Sequence, residues 1–502
     1  EEKVKDLDLM ISGKYAGVGA LIRYNFLLKN TVIDEPYENM PAAEVGLKKG
    51  DVILAIGDSS MVGKDVAYVS NHLRGDAGTT FILTVQRPSV NKKMKFKITR
   101  RAIQLPAVPY YGVQDGGVGY LNLNSFTTGC AKDVRRAFLD MKKQGMTSLV
   151  FDLRNNGGGS LQEAVNIVNM FVPKGITLVK TVGKMDRANN EYKTTVEPID
   201  TLMPIVVLVN DESASASEIT SGSLQDLDRA VVLGTRTYGK GLVQVSMDLP
   251  YNGNLKLTSS KYYIPSGRCI QAINYKHGNG GYTEHVPDSL TRVFHTANGR
   301  VVRDGGGIKP DVEVRPDSLP NIAFYLASSG RDSTEVMWNW ELQYLKKHPT
   351  IGPAKTFVIS DADFEDFKQA VLKSGFKYDR ESKKYLENLV KLAKFEGYYD
   401  EAKPEFEALE KKLNHNLAKD LDYNKQTLKK VLTSDLVSAY YYQKGSLENS
   451  LQFDKQWKKA VEILQNPVEY NKLLQPVVGQ PMVKLEPASN VAVDKKPKSK
   501  AK

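Results

Sequence analysis

Apolar residues fall along this chain in two kinds of pattern. Leu149-Val-Phe-Asp-Leu153 and Pro204-Ile-Val-Val-Leu-Val-Asn210 are apolar at nearly every position for about the length of one strand. Such runs predict strands of a parallel sheet buried on both faces, because a strand with one wet face would alternate. Each is followed by helical sequence, Leu161 to Phe171 in the first case and from Ala214 in the second. Phe81-Ile-Leu-Thr-Val-Gln-Arg87 predicts a further strand, and Asp65 to Arg74 a helix. From about Ser318 the pattern changes to Lys, Glu, Leu and Tyr with helical spacing. Leu386, Leu389, Val390 and Ala393 form one apolar stripe there, and Phe406, Leu409 and Leu413 a second. Those stripes, and Tyr440, Tyr441 and Tyr442, are expected in a core. The sequence pattern therefore predicts a multidomain α+β protein whose last part is all-α.

A chain of 502 residues is too long for one core, and about three domains are expected. Cys130 and Cys269 show no metal-ligand or redox spacing, so no metal and no cofactor is expected. No apolar run is long enough to span a membrane. The chain opens on Glu1-Glu2-Lys3, which fits removal of an export signal, a lipid anchor or preceding helices. The tail beyond Pro481 carries Lys484, Lys495, Lys496, Lys498, Lys500 and Lys502 without apolar periodicity and is expected to be disordered. It contributes to a net charge of +11, which could draw nucleic acid or an anionic membrane. With no nucleic-acid-binding motif present, a solvated surface is the better reading.

The chemistry gathers around Ser215, in Asp211-Glu-Ser-Ala-Ser-Ala-Ser-Glu-Ile219 directly after the second buried strand. A serine at a helix N-terminus has free N–H groups and the positive dipole end beside it, with Ala216 N–H the first oxyanion donor. Small serines and alanines at such a position are more often caps. Lys240 in Thr237-Tyr-Gly-Lys-Gly241 shifts the balance, because one cation between two glycines and next to Leu242 and Val243 is not an ordinary surface lysine. Kept neutral by desolvation, it can serve as the base that activates the serine. The six histidines (His72, His277, His285, His295, His348 and His415) all lie outside these motifs, which disfavours a Ser-His-Asp triad. Asn155-Asn-Gly-Gly-Gly159 after the first buried strand lets the backbone approach a substrate. It lacks the Gly-Lys-Ser/Thr ending and the spaced glycines of nucleotide loops.

In order and spacing, Val209 to Ile219, Leu224 to Gly234 and Tyr238 to Gln244 resemble the catalytic core of the C-terminal processing (tail-specific) peptidases, over roughly residues 10 to 315. The resemblance implies an α/β protease core of crotonase-like ββα type. It implies Ser215 as nucleophile, Lys240 as general base, Gln244 orienting that lysine and Asp226 supporting the site. Gly157 or Gly158 would join Ala216 in the oxyanion hole. A second module resembles a PDZ domain, a small β-barrel-like fold with helices. In it the Tyr15-Ala16-Gly17-Val18-Gly19 loop would hold a peptide carboxylate and the following strand would pair with the peptide. The string Pro41 to Ile56 matches the middle of such a domain.

The expected organisation is 1–10 as a remnant of a preceding segment, 11–102 as PDZ domain and 103–317 as peptidase core. Residues 318–480 follow as a helical domain and 481–502 as tail. Residues 272–304 read as an insertion, expected to be a surface excursion. The implied activity is a serine endopeptidase that recognises protein C-termini; the alternative is a non-catalytic peptide-binding envelope scaffold. Expected partners are proteins or peptides with free C-termini, with room for an adaptor protein and a homodimer and none for nucleic acid. The expected location is the bacterial periplasm or cell envelope. The helical extension resembles that of Bacteroides-type envelope enzymes.

Overall fold

The structure, a computed structural model, describes residues 14–250, 253–272, 287–328, 330, 332–413 and 416–476. Residues 1–10, the basic tail and 273–286 of the insertion lie outside these.

The first module starts with β1 (Lys14–Gly17), β2 (Ala20–Asn25), β3 (Asn30–Pro36) and β4 (Val52–Ile56), followed by α1 (Val66–Leu73). Then come β5 (Thr80–Arg87), β6 (Lys92–Thr99) and β7 (Arg101–Gln104). An antiparallel sheet runs in the order β2-β3-β4-β5-β6, and its apolar side packs Ile33, Ile53, Leu83, Val85 and Ile98 against Val69 and Leu73 of α1. Because β2 is the edge strand and lies beside α1, one row of its backbone groups is left for another chain to pair with. β1 pairs with β7, Lys14 opposite Gln104, and so ties the entry of this module to the segment leading out of it.

The central layer contains β8 (Tyr111–Val113), β9 (Val118–Asn122), α2 (Cys130–Lys143), β10 (Ser148–Asp152) and α3 (Leu161–Val168). It continues with β11 (Thr177–Gly183), β12 (Asn190–Lys193), β13 (Ile205–Val209), α4 (Ala216–Asp226) and β14 (Val231–Gly234). It ends with β15 (Leu242–Leu249), β16 (Gly253–Tyr263) and β17 (Val312–Glu313). Its main sheet has the order β17-β14-β13-β10-β9-β8, parallel except for β8. A smaller sheet, β12-β11-β16-β15, stands beside it. Along β13 successive residues face opposite ways. Ile205, Val207 and Val209 join the core with α2, α3 and α4, while Val206 and Leu208 face the other side.

That other side is covered by the C-terminal end of the chain. The helical part comprises α5 (Asn321–Ala327), α6 (Val336–Lys347), α7 (Asp361–Ser374), α8 (Glu381–Glu396) and α9 (Lys403–Lys412). After these come α10 (Leu417–Tyr423), α11 (Lys425–Ser450), α12 (Lys455–Leu464) and α13 (Pro467–Leu473). Trp457, Ala460, Ile463, Leu464 and Tyr470 from α12 and α13 pack on Tyr120, Val150, Val206, Leu208 and Leu233. Ile205 N–H donates to Tyr470 Oη at 3.0 Å. The helices from 318 onward thus hold a core of their own, built from α5, α6, α7, α10 and α11, while the last two complete the central core. At the other end α6 and α11 grip the first module. Trp338 lies between the Arg23 and Lys49 cations, Lys49 pairs with Glu341 at 3.2 Å, and Arg23 pairs with Glu335.

Two expectations need correction. Leu389, read as part of a buried stripe, is half exposed, and only Leu386 and Ala393 of α8 are buried. The second half of the insertion is not a surface excursion. Thr296, Arg300 and Val302 are buried, and Arg300 pairs with Asp228 and Asp311 beyond the C-terminal end of α4.

Candidate active site

Ser215 sits where β13 has ended and α4 begins, in a backbone conformation of φ 57° and ψ −113°. A residue with a Cβ rarely takes that conformation, which costs of the order of 1–3 kcal/mol and persists only when neighbours enforce it. The enforcing neighbours form a dense seam. Ser213 Oγ donates to Leu153 O at 2.8 Å, Ala214 N–H to Asn156 O at 3.0 Å, and Ser217 Oγ to the same oxygen at 2.8 Å. The serine turn is thus stitched to the glycine loop that follows β10.

Glycine is required at 158. A Cβ there would lie 2.7 Å from Ala214 O, 2.8 Å from Ser215 Cβ and 2.9 Å from Ala216 N, and its φ is +99°. Gly158 N–H already donates to the Asn156 side chain at 2.9 Å, whereas Gly157 lies exposed at the turn. Ala216 is the first residue of α4, so its N–H has no partner within the helix.

Lys240 is fastened to this turn through its backbone. Glu218, fully buried one turn into α4, accepts four bonds. Oε2 takes Ser215 N–H and Lys240 N–H, both at 2.9 Å; Oε1 takes Gly239 N–H at 2.7 Å and Thr237 Oγ1 at 2.6 Å. One carboxylate therefore spans both segments. Tyr262 on β16 repeats the link, donating to Lys240 O and lying 3.3 Å from Ser215 O. Burial pushes the Glu218 carboxyl up, while its four donors pull it back. The glycines flanking Lys240 are dictated by packing, because a Cβ on Gly239 would meet Ala272 Cβ at 2.3 Å and one on Gly241 would meet Gln271 N at 2.8 Å.

The Lys240 amine is half-buried, and its pKa is lowered first by burial and then by the Lys256 cation, with Glu218 acting the opposite way. In this conformation no hydrogen bond joins Lys240 Nζ to Ser215 Oγ. Gln244 is exposed on β15, just past a break in register between Val243 and Gln244, and makes no bond to Lys240. Asp226 stands at the far end of α4, about 16 Å along the helix from Ser215. It lies 2.8 Å from the buried Arg268 and accepts Ser266 N–H at 3.0 Å, so it holds the β16 turn rather than the serine or lysine.

Sequence reasoning missed Glu218 and Tyr262. The Ser-x-x-Glu spacing of 215 and 218 could have drawn attention to the glutamate as a helix-start signature; no comparable signal marks the tyrosine. Of the histidines, His72 caps back onto Tyr68 O and His348 stacks on Tyr344. His277, His285 and His415 lie outside the described residues.

In the first module, Tyr15, Ala16 and Gly17 belong to β1, and Val18 and Gly19 form the turn into β2. The carbonyls of Val18 and Gly19 accept Ala42 N–H and Tyr37 N–H, both at 2.9 Å. The turn is thereby tied to the Tyr37–Ala42 segment between β3 and β4. Tyr15 is held against the Arg74 cation, and burial pushes its hydroxyl up to about 12.

Comparison with known proteins agrees with this anatomy. Residues 117–277 match peptidase family S41, residues 32–87 match the PDZ domain, and residues 325–464 match "Probable PDZ-protease, C-terminal helical domain". The chain is 37% identical over 277 residues to the carboxy-terminal-processing protease of Bartonella bacilliformis, covering 54% of this chain and 62% of the relative. It is 34% identical over 283 residues to a probable CtpA-like serine protease of Staphylococcus epidermidis, covering 56% and 54%. A solved photosystem II D1 C-terminal processing protease is 27% identical, with a TM-score of 0.35 and coverage of 64% and 77%. The match spans little more than half the length of the two curated relatives. Residues 117–277 are therefore similar to an S41 peptidase core, with a PDZ domain before them. Within these bounds the chain is similar to C-terminal processing peptidases.

Proposed function

We propose that this protein is a serine endopeptidase whose PDZ domain captures the free C-terminus of a protein and whose Ser215 cleaves the chain through an acyl-enzyme. The reading is carried by one observation: Ser215, in a strained strand-to-helix turn, is bound through Glu218 to the backbone of a lysine whose pKa is lowered. Neutral Lys240 takes the serine proton as Oγ attacks the carbonyl carbon. The proton then passes to the leaving amine, and a lysine-activated water releases the acyl group. Ala216 N–H and Gly157 N–H are the oxyanion donors, because Gly158 N–H is already engaged by Asn156. Asp226 contributes by anchoring the β16 turn that carries Tyr262.

The unlinked Ser215 and Lys240 side chains and the exposed Gln244 fit a resting state, with substrate capture bringing lysine and glutamine into line. The same feature favours a second reading, a peptide-binding scaffold without turnover. The peptide itself would add to the free edge of β2 beside α1, with its carboxylate at the Val18–Gly19 turn. The proposed setting is the cell envelope of a bacterium, with an adaptor protein as an additional partner; among the described residues no helix is long and apolar enough to cross a membrane.

The test is cleavage of an unstructured protein ending in a free apolar C-terminus against the same protein amidated at its end. The proposal expects the free acid to be cut faster and Ser215→Ala to cut neither. Equal rates on both forms would remove C-terminal recognition. Tight binding of the free acid without cleavage by any form of the enzyme would leave the scaffold. Deleting residues 11–88 separates activation from inhibition by the PDZ domain, since an activating domain leaves a silent core and an inhibiting one leaves an unregulated core.

A further inference from the structure

The long helix α11 does more than close a core: it ties the first module to the peptidase sheet. Tyr442 within it sits at φ 58° and ψ −174°, a backbone conformation otherwise left to glycine, and the helix turns a sharp corner there. Ser434 Oγ and Ser446 Oγ, which twelve residues of straight helix would hold about 18 Å apart, lie 3.0 Å from each other across that corner. Before it, Leu428, Leu432 and Leu436 belong to the core of the helical part. After it, Leu447 and Leu451 pack with Trp457 on the central sheet. A neighbouring segment locks both halves, since Tyr441 Oη donates to Gly352 O at 3.0 Å and Asn449 Nδ2 to Ala354 O at 2.7 Å.

The first module is bolted to this corner. Glu35 on β3 accepts Ser438 Oγ–H at 2.9 Å and Gln443 N–H at 3.1 Å, one donor from each side of Tyr442. Trp338 of α6 adds a buried contact with Val32 and Val52 of the same module. Module, corner and peptidase sheet are thus joined in one frame, and the frame encloses a cavity of about 860 Å³. Tyr37 and Met40 line one part of it. They flank the Val18–Gly19 turn, where a Cβ on Gly19 would meet Met40 Cβ at 2.5 Å. Asn124 and Ser125 line another part. Next in the chain, Phe126 N–H donates to Gly158 O at 3.0 Å, and Gly158 abuts Ser215. Tyr442 stands in the wall of the same cavity.

We infer that this enzyme measures its cut from the C-terminus of its substrate: the segment between the captured carboxylate and the scissile bond spans the cavity, and Glu35 and Tyr442 are positioning residues that fix its length. The inference rests on the peptidase reading and adds how that site chooses its bond. An extended chain advances about 3.3 Å per residue, so a slip of one residue carries the scissile bond well beyond the displacement of about 1 Å at which turnover falls about 100-fold. A shorter segment does not reach Ser215, and a longer one bulges against the Tyr442 corner. Distance from the chain end then outranks the side chains at the bond.

The test uses the whole chain and an unstructured substrate of one repeated sequence that ends in a free apolar C-terminus, so that every repeat offers the same bonds. The C-terminal fragment released at low turnover is sized by mass spectrometry. One fragment length is expected. The same length is expected when extra residues are inserted just before the substrate's tail, so that the cut moves along the sequence by the number inserted. Glu35→Ala removes both bonds to the corner and is expected to scatter the fragment lengths while cleavage continues. Glu35→Gln is expected to keep the wild-type length, because its amide oxygen can accept Gln443 N–H and its NH2 can donate to the Ser438 hydroxyl. Tyr442→Gly keeps a backbone that glycine adopts freely but removes the wall, and is expected to release longer fragments as well. A purely structural role for these residues would lower the rate and leave the length unchanged. A cut that stays at the same bond of the lengthened substrate, scattered wild-type fragments, or a Glu35→Ala enzyme as sharp as wild type would each overturn the inference and leave the peptidase reading standing. Absence of all cleavage by the wild type would defeat the peptidase reading and this inference with it.

Discussion

Glu218→Gln probes the link between nucleophile and base. All four groups bonded to this side chain donate to it, and three are backbone N–H groups that cannot reverse. The side chain must therefore act as an anion that only accepts. Glutamine keeps one acceptor and turns a donor the other way. Its least costly orientation points the amide NH2 toward Thr237, whose hydroxyl can rotate, and Gly239, whose N–H cannot. Gly239 N–H is then left buried without an acceptor, at about 1–3 kcal/mol, while the bonds from Ser215 and Lys240 lose their charge assistance at about 1 kcal/mol each. The total is about 3–5 kcal/mol, concentrated where Ser215 and Lys240 are held together. A displacement of the order of 1 Å between them lowers turnover by about 100-fold. Initial-rate kinetics on an unstructured substrate, thermal melts and peptide-binding titrations should show kcat/KM down about 100-fold, a melting temperature lower by about 10 °C and unchanged tail binding. Kinetics within about threefold of wild type, with an unshifted melt, would refute the reasoning, because the four bonds would then not be holding the site.

Three further outcomes are expected. Gly158→Ala, which puts a Cβ within 2.9 Å of three atoms of the serine turn at a φ of +99°, should abolish cleavage with a stability loss of only about 1–3 kcal/mol; rate assays and melts on the same preparation check this. Lys256→Gln removes a positive charge that disfavours protonated Lys240, so the Lys240 pKa should rise and the ascending limb of the kcat/KM–pH profile should move to higher pH. Lys49→Met should destabilise the grip of the helices on the PDZ domain, and more so at mildly alkaline than at mildly acidic pH. Asp435 there has its carboxyl raised by burial and by Glu341, so its contribution is present at low pH and is lost as pH rises through that raised value. Removing the Lys49 cation enlarges the loss, which urea titrations at two pH values would read.

How far the sequence carried depended on how local each constraint is. Strand β13 could be read because both its faces are buried, and a strand between two layers of helices must be apolar throughout. The glycines at 158, 239 and 241 were visible as glycines, but their reasons are contacts with Ser215, Ala272 and Gln271, which only the fold supplies. Glu218 stood in plain sight in a serine-rich run and passed for helix sequence. Its function depends on Lys240, 22 residues away, turning back onto it. Asp226 is placed beside the chemistry only by the family resemblance, and eleven residues of helix carry it to the opposite end. The stripe on α8 has the periodicity of a buried face, yet Leu389 is half exposed, because periodicity does not say whether anything packs on it. Arg300 looked like loop sequence because a single buried arginine, neutralised by Asp228 and Asp311, leaves no apolar pattern.

The most direct test of the central claim is digestion of an unstructured protein by the intact chain, by Ser215→Ala and by Lys240→Ala, with fragments identified by mass spectrometry. The account predicts internal cleavage by the intact chain and none by either variant, while both variants still bind the substrate's C-terminal tail. Cleavage that survives in either variant would contradict the assignment of Ser215 as nucleophile and Lys240 as its base.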